Sequence, residues 1–198
     1  LSVKAKYESE KTAHHLLTTY VRKGNPKSKI NLFAVHRLDR DTSGVLIFAK
    51  SYAIREKFAE QWERVEKKYI AVVYGHLSEK SGLIESFLAE GDDYKMQSVK
   101  NSKDGVFART QYKVIKESKD FSLLEIQLLT GKKNQIRVHL SEKGHPIVGD
   151  KKYRKDAKGR LALHALSIRF KHPFHNQEMT FETEMPDYFL TYFSPQGR

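Results

Sequence analysis

One nine-residue stretch, His36-Arg37-Leu38-Asp39-Arg40-Asp41-Thr42-Ser43-Gly44, gathers five ionisable side chains between two apolar runs, 32–35 and 45–49. A connection that only reversed the chain would need about two to five residues, mostly Gly, Asn or Asp. The plain reading of such a loop is a solvated surface carrying weak ion pairs. Polar loops held at strand ends are also where sheets carry their chemistry. Asp39 lies between Arg37 and Arg40, and a neighbouring guanidinium favours the ionised form of a carboxylate. Kept from bulk water in a cleft, an ionised carboxylate can act as a nucleophile. Asp41 competes for that role. Its place before Thr42-Ser43-Gly44 suits a turn residue whose carboxylate accepts from local backbone N–H groups, so it is assigned a structural part.

Other chemistries lack their residues. His36, Asp39 and Asp41 could ligate a metal, but the adjacent guanidiniums oppose a divalent cation, and no metal is expected. Gly131-Lys132-Lys133 lacks the first Gly and the Ser or Thr of a phosphate-binding P-loop, and no dinucleotide fingerprint or zinc-spaced His pair is found. Asp41-Thr42-Ser43-Gly44 is superficially like the Asp-Thr-Gly of aspartic proteases, but a Ser intervenes and that chemistry needs two converging carboxylates. With no Cys in the chain, thiolate catalysis and disulfides are excluded.

The elements that must position Asp39 follow from periodicity. A helix is expected over 11–22, ended by Gly24-Asn25-Pro26, and a second over 51–65, capped by Ser51 and burying Ile54, Phe58, Trp62 and Val65. Strands are expected over 67–75 and 83–88, as a hairpin over 106–115 and 121–129, and over 161–170 and 179–183. Residues 90–105 read as a polar surface excursion, and a helix runs from Gln135 to near Gly144. Hairpin-sized connections and a majority of strands give an α+β fold with a mixed, largely antiparallel sheet flanked by helices and loops. At 198 residues the chain reads as one domain, 1–198, with a monomer as the default. A net charge of +12 calls for a polyanionic partner, nucleic acid before any other. No apolar run approaches the ~18 residues of a membrane span, and no signal peptide is visible, so a cytoplasmic protein without membrane contact is expected.

Three segments together carry a family resemblance. The 36–44 stretch resembles the catalytic motif of the RluA-type pseudouridine synthases. Lys68-Tyr69-Ile70-Ala71-Val72-Val73-Tyr74-Gly75 resembles the motif that supplies the family's active-site Tyr. Gln135-Ile136-Arg137-Val138-His139-Leu140, with Gly144-His145-Pro146-Ile147-Val148-Gly149-Asp150 and Tyr153, resembles the third, and Leu163-His164-Ala165 with His172-Pro173 the closing strands. The matches run in family order over 35–173. The resemblance implies the pseudouridine synthase catalytic fold and an RNA-modifying isomerase: uridine in ribosomal or transfer RNA becomes pseudouridine, with the target base flipped and without a cofactor.

The resemblance also implies roles. Asp39 is the nucleophile, at ribose C1′ or the uracil ring, or else the base of a glycal route. Tyr69 stacks on the uracil and assists removal of the C5 proton. Arg137 pairs with the Asp39 carboxylate, and Arg37 enters the space left by the flipped base. Arg40, Lys132, Lys133 and His36 join Arg37 in the RNA-binding and base-flipping group. His36, like His139, His145 and His164, is expected to be a hydrogen-bonded scaffold residue rather than an acid–base catalyst. The family's Gly-Arg-x-His before Gln-Ile-Arg is here Gly131-Lys132-Lys133-Asn134. Lys132 keeps a charge without Arg's planar fork, and Asn134 keeps hydrogen bonding without titration. The family's Asp-Lys-Pro-x-Gly element is not among these residues, so the natural start is expected to lie upstream of Leu1, and no S4-like domain is expected within 1–198. The alternative reading is a non-catalytic RNA-binding module on the same scaffold.

Overall fold

The computed structural model describes residues 12–25 and 27–194. Lys11 and Pro26, which bear on the limits of the expected first helix, lie outside them; helix α1 is Ala13–Val21, with the Thr12 hydroxyl accepting from the His15 N–H. At the centre of the sheet, strand β4 (Glu66–Tyr74) runs antiparallel between β8 (Phe121–Leu128) and β9 (Leu163–Lys171). Beyond β8 come β7 (Val106–Glu117), β5 (Ser81–Glu90) and β6 (Met96–Val99), and beyond β9 lies β10 (Glu178–Glu182). All of these pairings are antiparallel. The parallel pairing among the described strands sets β2 (Ser43–Gly44) against the start of β9. The architecture is the expected α+β, with a mixed and largely antiparallel sheet.

β4 is central because its side chains are apolar on both faces. Ala71, Val72 and Val73 are buried among Leu124 and Ile126 of β8 and Leu163 of β9. Helix α3 (Gln135–Glu142) adds Ile136 and Leu140 to this core, and Phe189 closes it. Each such aliphatic side chain contributes about 1.5–3 kcal/mol of transfer free energy. A second cluster lies under helix α2 (Tyr52–Glu60), where Phe58 and Val65 pack against Ile168 and Phe170 of β9. No described helix is long and apolar enough to cross a membrane.

Three boundaries differ from the sequence expectation. The helix expected over 51–65 stops at Glu60. Ser51 caps it through the Ile54 N–H, but Gln61 turns the chain into a 3-10 turn, Trp62–Arg64, so that Val65 can enter the sheet. The run 90–105 contains β6, whose Met96 is buried with Leu88, Ala108 and Val138; a short strand with one large buried side chain leaves no readable period. The apolar runs 32–35 and 45–49 meet only as two-residue strands, β1 (Phe33–Ala34) and β3 (Phe48–Ala49). The residues between them cross to β9 instead of closing a hairpin.

Candidate active site

The 36–44 loop is held at both ends. His36 Nε2 accepts from the Ile47 N–H at 3.1 Å, and the imidazole stacks on Trp62 with centroids 5.1 Å apart. Burial drives its pKa down to about 4, against a bond to the Arg37 backbone and with help from Lys67. The ring is thereby held, hydrogen-bonded and stacked, at the start of the loop. At the other end the Ser43 hydroxyl bonds His164 Nδ1 at 2.8 Å, and the Val45 N–H donates to Ala165 O at 2.9 Å. Gly44 sits at φ +117°, where a Cβ would lie 2.2 Å from Ala165 O, so only glycine lets the loop lie this close to β9. Ser43 and Gly44 thus moor the loop. Asp41 does not act as expected: it is exposed, its carboxylate accepts nothing among the described residues, and the turn is closed by the Thr42 N–H donating to Asp39 O at 3.0 Å.

Facing the loop is α3, a helix buried through its first six residues although three of them are polar or charged: Gln135, Arg137 and His139. Buried polar groups must be hydrogen-bonded, and these are. The Gln135 amide donates to Arg109 O and Thr110 Oγ1 and accepts from the Thr130 hydroxyl and the Lys132 N–H. His139 bonds Thr110 Oγ1 and Ser86 Oγ through its two nitrogens, and burial lowers its pKa. Arg137 donates through Nε and Nη2 to the two oxygens of Asp150 at 2.8 and 2.7 Å, and through Nη1 to Asp39 Oδ2 at 3.5 Å. Burial works to lower the Arg137 pKa, but the bonds to Asp150 and the nearby Asp39 charge raise it overall.

Loop and helix enclose a cavity of about 290 Å³ lined by Asp39, Arg37, Tyr69, Lys67, Asn134 and Arg137, among others. Asp39 is the one carboxylate of that lining. The cavity opens into a groove of about 760 Å³ that shares Arg37, Asp39, Asn134 and Arg137 and adds Arg40, Lys151, Lys152 and Arg160. Tyr69 and Lys67 reach the cavity together because alternate residues of β4 share a face; Glu66 and Lys68 line a separate groove of about 280 Å³. Burial, then the Asp39 charge, pushes the Tyr69 phenol up to about 12. At pH 7 only about one molecule in 10⁵ would carry the phenolate, so the resting site presents Tyr69 as a neutral ring and hydroxyl.

The sequence-expected residues Asp39, Tyr69, Arg137, Arg37, Lys132, Lys133 and His36 all line this inner cavity, and Arg40 lines the outer groove. Arg37 and Arg40 are exposed and make no side-chain bond among the described residues. Lys133 pairs with Glu90 on the rim. Four residues carry structural weight that sequence reasoning did not assign. Asp150, 1% exposed, is the bidentate partner of Arg137; it stands in the third motif, and a buried Arg demands such a partner. Asn134 makes the shortest contact with Asp39, 2.6 Å from Nδ2 to Oδ2, and Lys152 Nζ donates to the side-chain Oδ1 of Asn134 at 3.1 Å. Lys67, buried with its Nζ bonded to Trp62 O and lying over the Trp62 ring, has its pKa lowered by burial; its two-residue spacing from Tyr69 was the available signal.

Known proteins share this arrangement of chain. The family profile described as RNA pseudouridylate synthase matches residues 3–142. The chain is 40% identical over 159 residues to the uncharacterized RNA pseudouridine synthase YlyB of Bacillus subtilis, covering 77% of this chain and 52% of that protein. It is 36% identical over 167 residues to the ribosomal large subunit pseudouridine synthase D of Zymomonas mobilis, with the same coverage of 77% and 52%. It therefore spans about half the length of these curated relatives. Human RNA pseudouridylate synthase domain containing 4 superposes with a TM-score of 0.79 at 25% identity, covering 98% of this chain and 85% of that one. A buried Arg on α3 reaching a loop carboxylate beside a strand Tyr, and a profile match across most of the sequence, lead to one assignment: the chain belongs to the RNA pseudouridylate synthase family.

Proposed function

We propose that this chain isomerises uridine to pseudouridine within ribosomal or transfer RNA, with Asp39 as the reacting carboxylate. The observation that carries the reading is that Asp39 is the single carboxylate lining the inner cavity, bonded from Asn134 and Arg137 and set beside the Tyr69 ring. The reaction breaks the bond from ribose C1′ to N1 and makes one from C1′ to C5; a proton leaves C5 and one is gained at N1. The Asp39 carboxylate supplies the electron pair that opens the glycosidic bond, by attack or by taking a proton. Arg137 keeps that carboxylate in place. Tyr69 offers the detached uracil a flat neutral face, and base–aromatic stacking is worth about 1–3 kcal/mol. No electron is gained or lost and no water is consumed, so the chemistry asks for no cofactor.

RNA is the substrate that suits the surroundings. A target uridine must leave its stack before a pocket can enclose it, at a few kcal/mol of unstacking. The outer groove, with Arg37, Arg40, Lys151 and Arg160, offers cations to the flanking phosphates. Arg37 is positioned at the mouth of both cavities, where a guanidinium can fill the gap left by the base. A monomer and a cytoplasmic setting, where such RNA is met, complete the proposal.

The test is a map of pseudouridine in total cellular RNA from cells lacking the gene, then supplied with wild type or Asp39→Asn. The expected result is a signal lost on deletion and restored only by wild type, with Asp39→Asn binding the same RNA within about threefold. Restoration by both proteins would overturn the catalytic reading in favour of an RNA-binding module.

A further inference from the structure

Asn134 stands just before α3, where an Asn side chain ordinarily accepts a hydrogen bond from the first turn of the helix. Here it makes no such cap bond, and its backbone is in the left-handed region at φ +53°. The side chain is used elsewhere. Nδ2 donates to Asp39 Oδ2 at 2.6 Å, and Oδ1 accepts from Lys152 Nζ at 3.1 Å. Lys152 Nζ is itself fixed by Tyr94 O at 2.9 Å. The orientation of the amide is thereby determined by chemistry. An ammonium can only donate and a carboxylate only accept, so a reversed amide would set NH2 against NH3⁺ and C=O against COO⁻.

The consequence lies on Asp39. Asn134 Nδ2 and Arg137 Nη1 both meet Oδ2. Among the described residues no donor meets the other oxygen, so its lone pairs are uncommitted. Resting on the reading of Asp39 as the reacting carboxylate, we propose that Asn134, clamped by Lys152, is a positioning residue that makes Oδ1 the oxygen of Asp39 that reacts. An amide does not titrate in the working range, so Asn134 itself adds no pH dependence to the clamp.

The experiment compares single-turnover rate and RNA affinity for wild type, Asn134→Leu, Lys152→Met, the double variant and Asn134→His. Asn134→Leu keeps the volume and loses both bonds. It should slow the chemical step by about ten- to a hundredfold while RNA affinity stays within about threefold. Lys152→Met should slow it less, and should add nothing in the Asn134→Leu background, because it acts through the amide. Asn134→His should retain measurable turnover and acquire a titration near pH ~6.5 that wild type lacks. A Lys152→Met effect confined to affinity, or multiplying with that of Asn134→Leu, would reassign Lys152 to phosphate contact and overturn the clamp. A wild-type protein that modifies no RNA would instead sink the proposed activity. The clamp is then judged by the Asn134 side-chain amide in an NMR spectrum, which should be protected from solvent and move in both Lys152→Met and Asp39→Ala. An unprotected amide indifferent to both variants would overturn it.

Discussion

The two walls of the cleft are built on opposite principles. On the α3 wall Gln135, Arg137, His139 and Asp150 are buried, and each is hydrogen-bonded by side-chain or backbone partners. On the loop wall Arg37, Arg40 and Asp41 are exposed, and their side chains bond nothing among the described residues. A buried polar network is costly unless complete, and complete it allows one arrangement. Exposed cations carry charge without fixed geometry. The difference teaches a division of labour in which the helix sets where Asp39 sits and the loop meets whatever anion arrives. Substitutions on the helix wall should therefore act on stability and turnover, and those at the exposed loop cations on how RNA is engaged, with little effect on stability.

The largest effect is expected where the helix wall is broken at its most buried charge. Asp150→Asn keeps the shape but leaves the Arg137 guanidinium, with its side chain 9% exposed, facing a neutral amide. Breaking a buried ion pair from one side costs about 3–5 kcal/mol, and urea unfolding should show a loss of that size together with loss of turnover. A shift below about 1 kcal/mol would mean that Asp150 is no anchor and that Arg137 is held by Asp39 alone. Replacing both members by Met and Leu should be milder than Asp150→Asn, since no buried guanidinium is then left facing an amide.

A smaller effect lies at the junction of the two walls, in His36. Its folded pKa is about 4, lowered by burial, against about 6.5 in the unfolded chain. Between those values the unfolded state binds more protons than the folded one, so stability falls as pH drops from ~6.5 through ~4 and is level again below. The integrated loss from this group is about 3 kcal/mol. Burial lowers His139 and His164 in the same direction. His36→Gln can still accept from the Ile47 N–H and should flatten the decline between pH 7 and pH 4.5 in chemical denaturation. An unchanged slope would move the effect to the other two imidazoles.

The sequence made one wall far more legible than the other. The loop wall could be read at once, because ionisable residues crowded between apolar runs stand out against any background. So could the alternating strand Leu124–Ile126–Leu128 and the helix that begins at Gln135. What stayed hidden was pairing between distant residues. Nothing in the spacing of Asp39 and Asn134 told that Nδ2 meets Oδ2 across 95 positions, and Asp150 and Lys152 gain their parts only when the chain beyond α3 turns back under it. Local pattern also misled at β6, where burial of Met96 comes from β5, β7 and α3 rather than from its own neighbours in sequence. Periodicity reports which face is buried, and it is silent about which buried polar atoms meet.

The smallest effect on the fold, and the sharpest contrast within the loop wall itself, is expected for Arg37 and Arg40. Both are exposed, so either replaced by Ala should shift stability by less than ~0.5 kcal/mol. Their effects on RNA should differ in kind. Arg40 lines only the outer groove; as a phosphate contact, its loss should weaken every RNA alike and reduce the salt dependence of binding by about 0.7–0.9 in slope. Arg37 lines both cavities; as the group that replaces a flipped base, its loss should slow turnover on structured RNA more than on an unstacked single strand, where no gap needs filling. Rates measured on a stem-loop and on its unpaired strand separate the two. If Arg37→Ala slows both substrates equally and flattens the salt slope as Arg40→Ala does, then Arg37 is a second phosphate contact, and the loop wall carries charge alone.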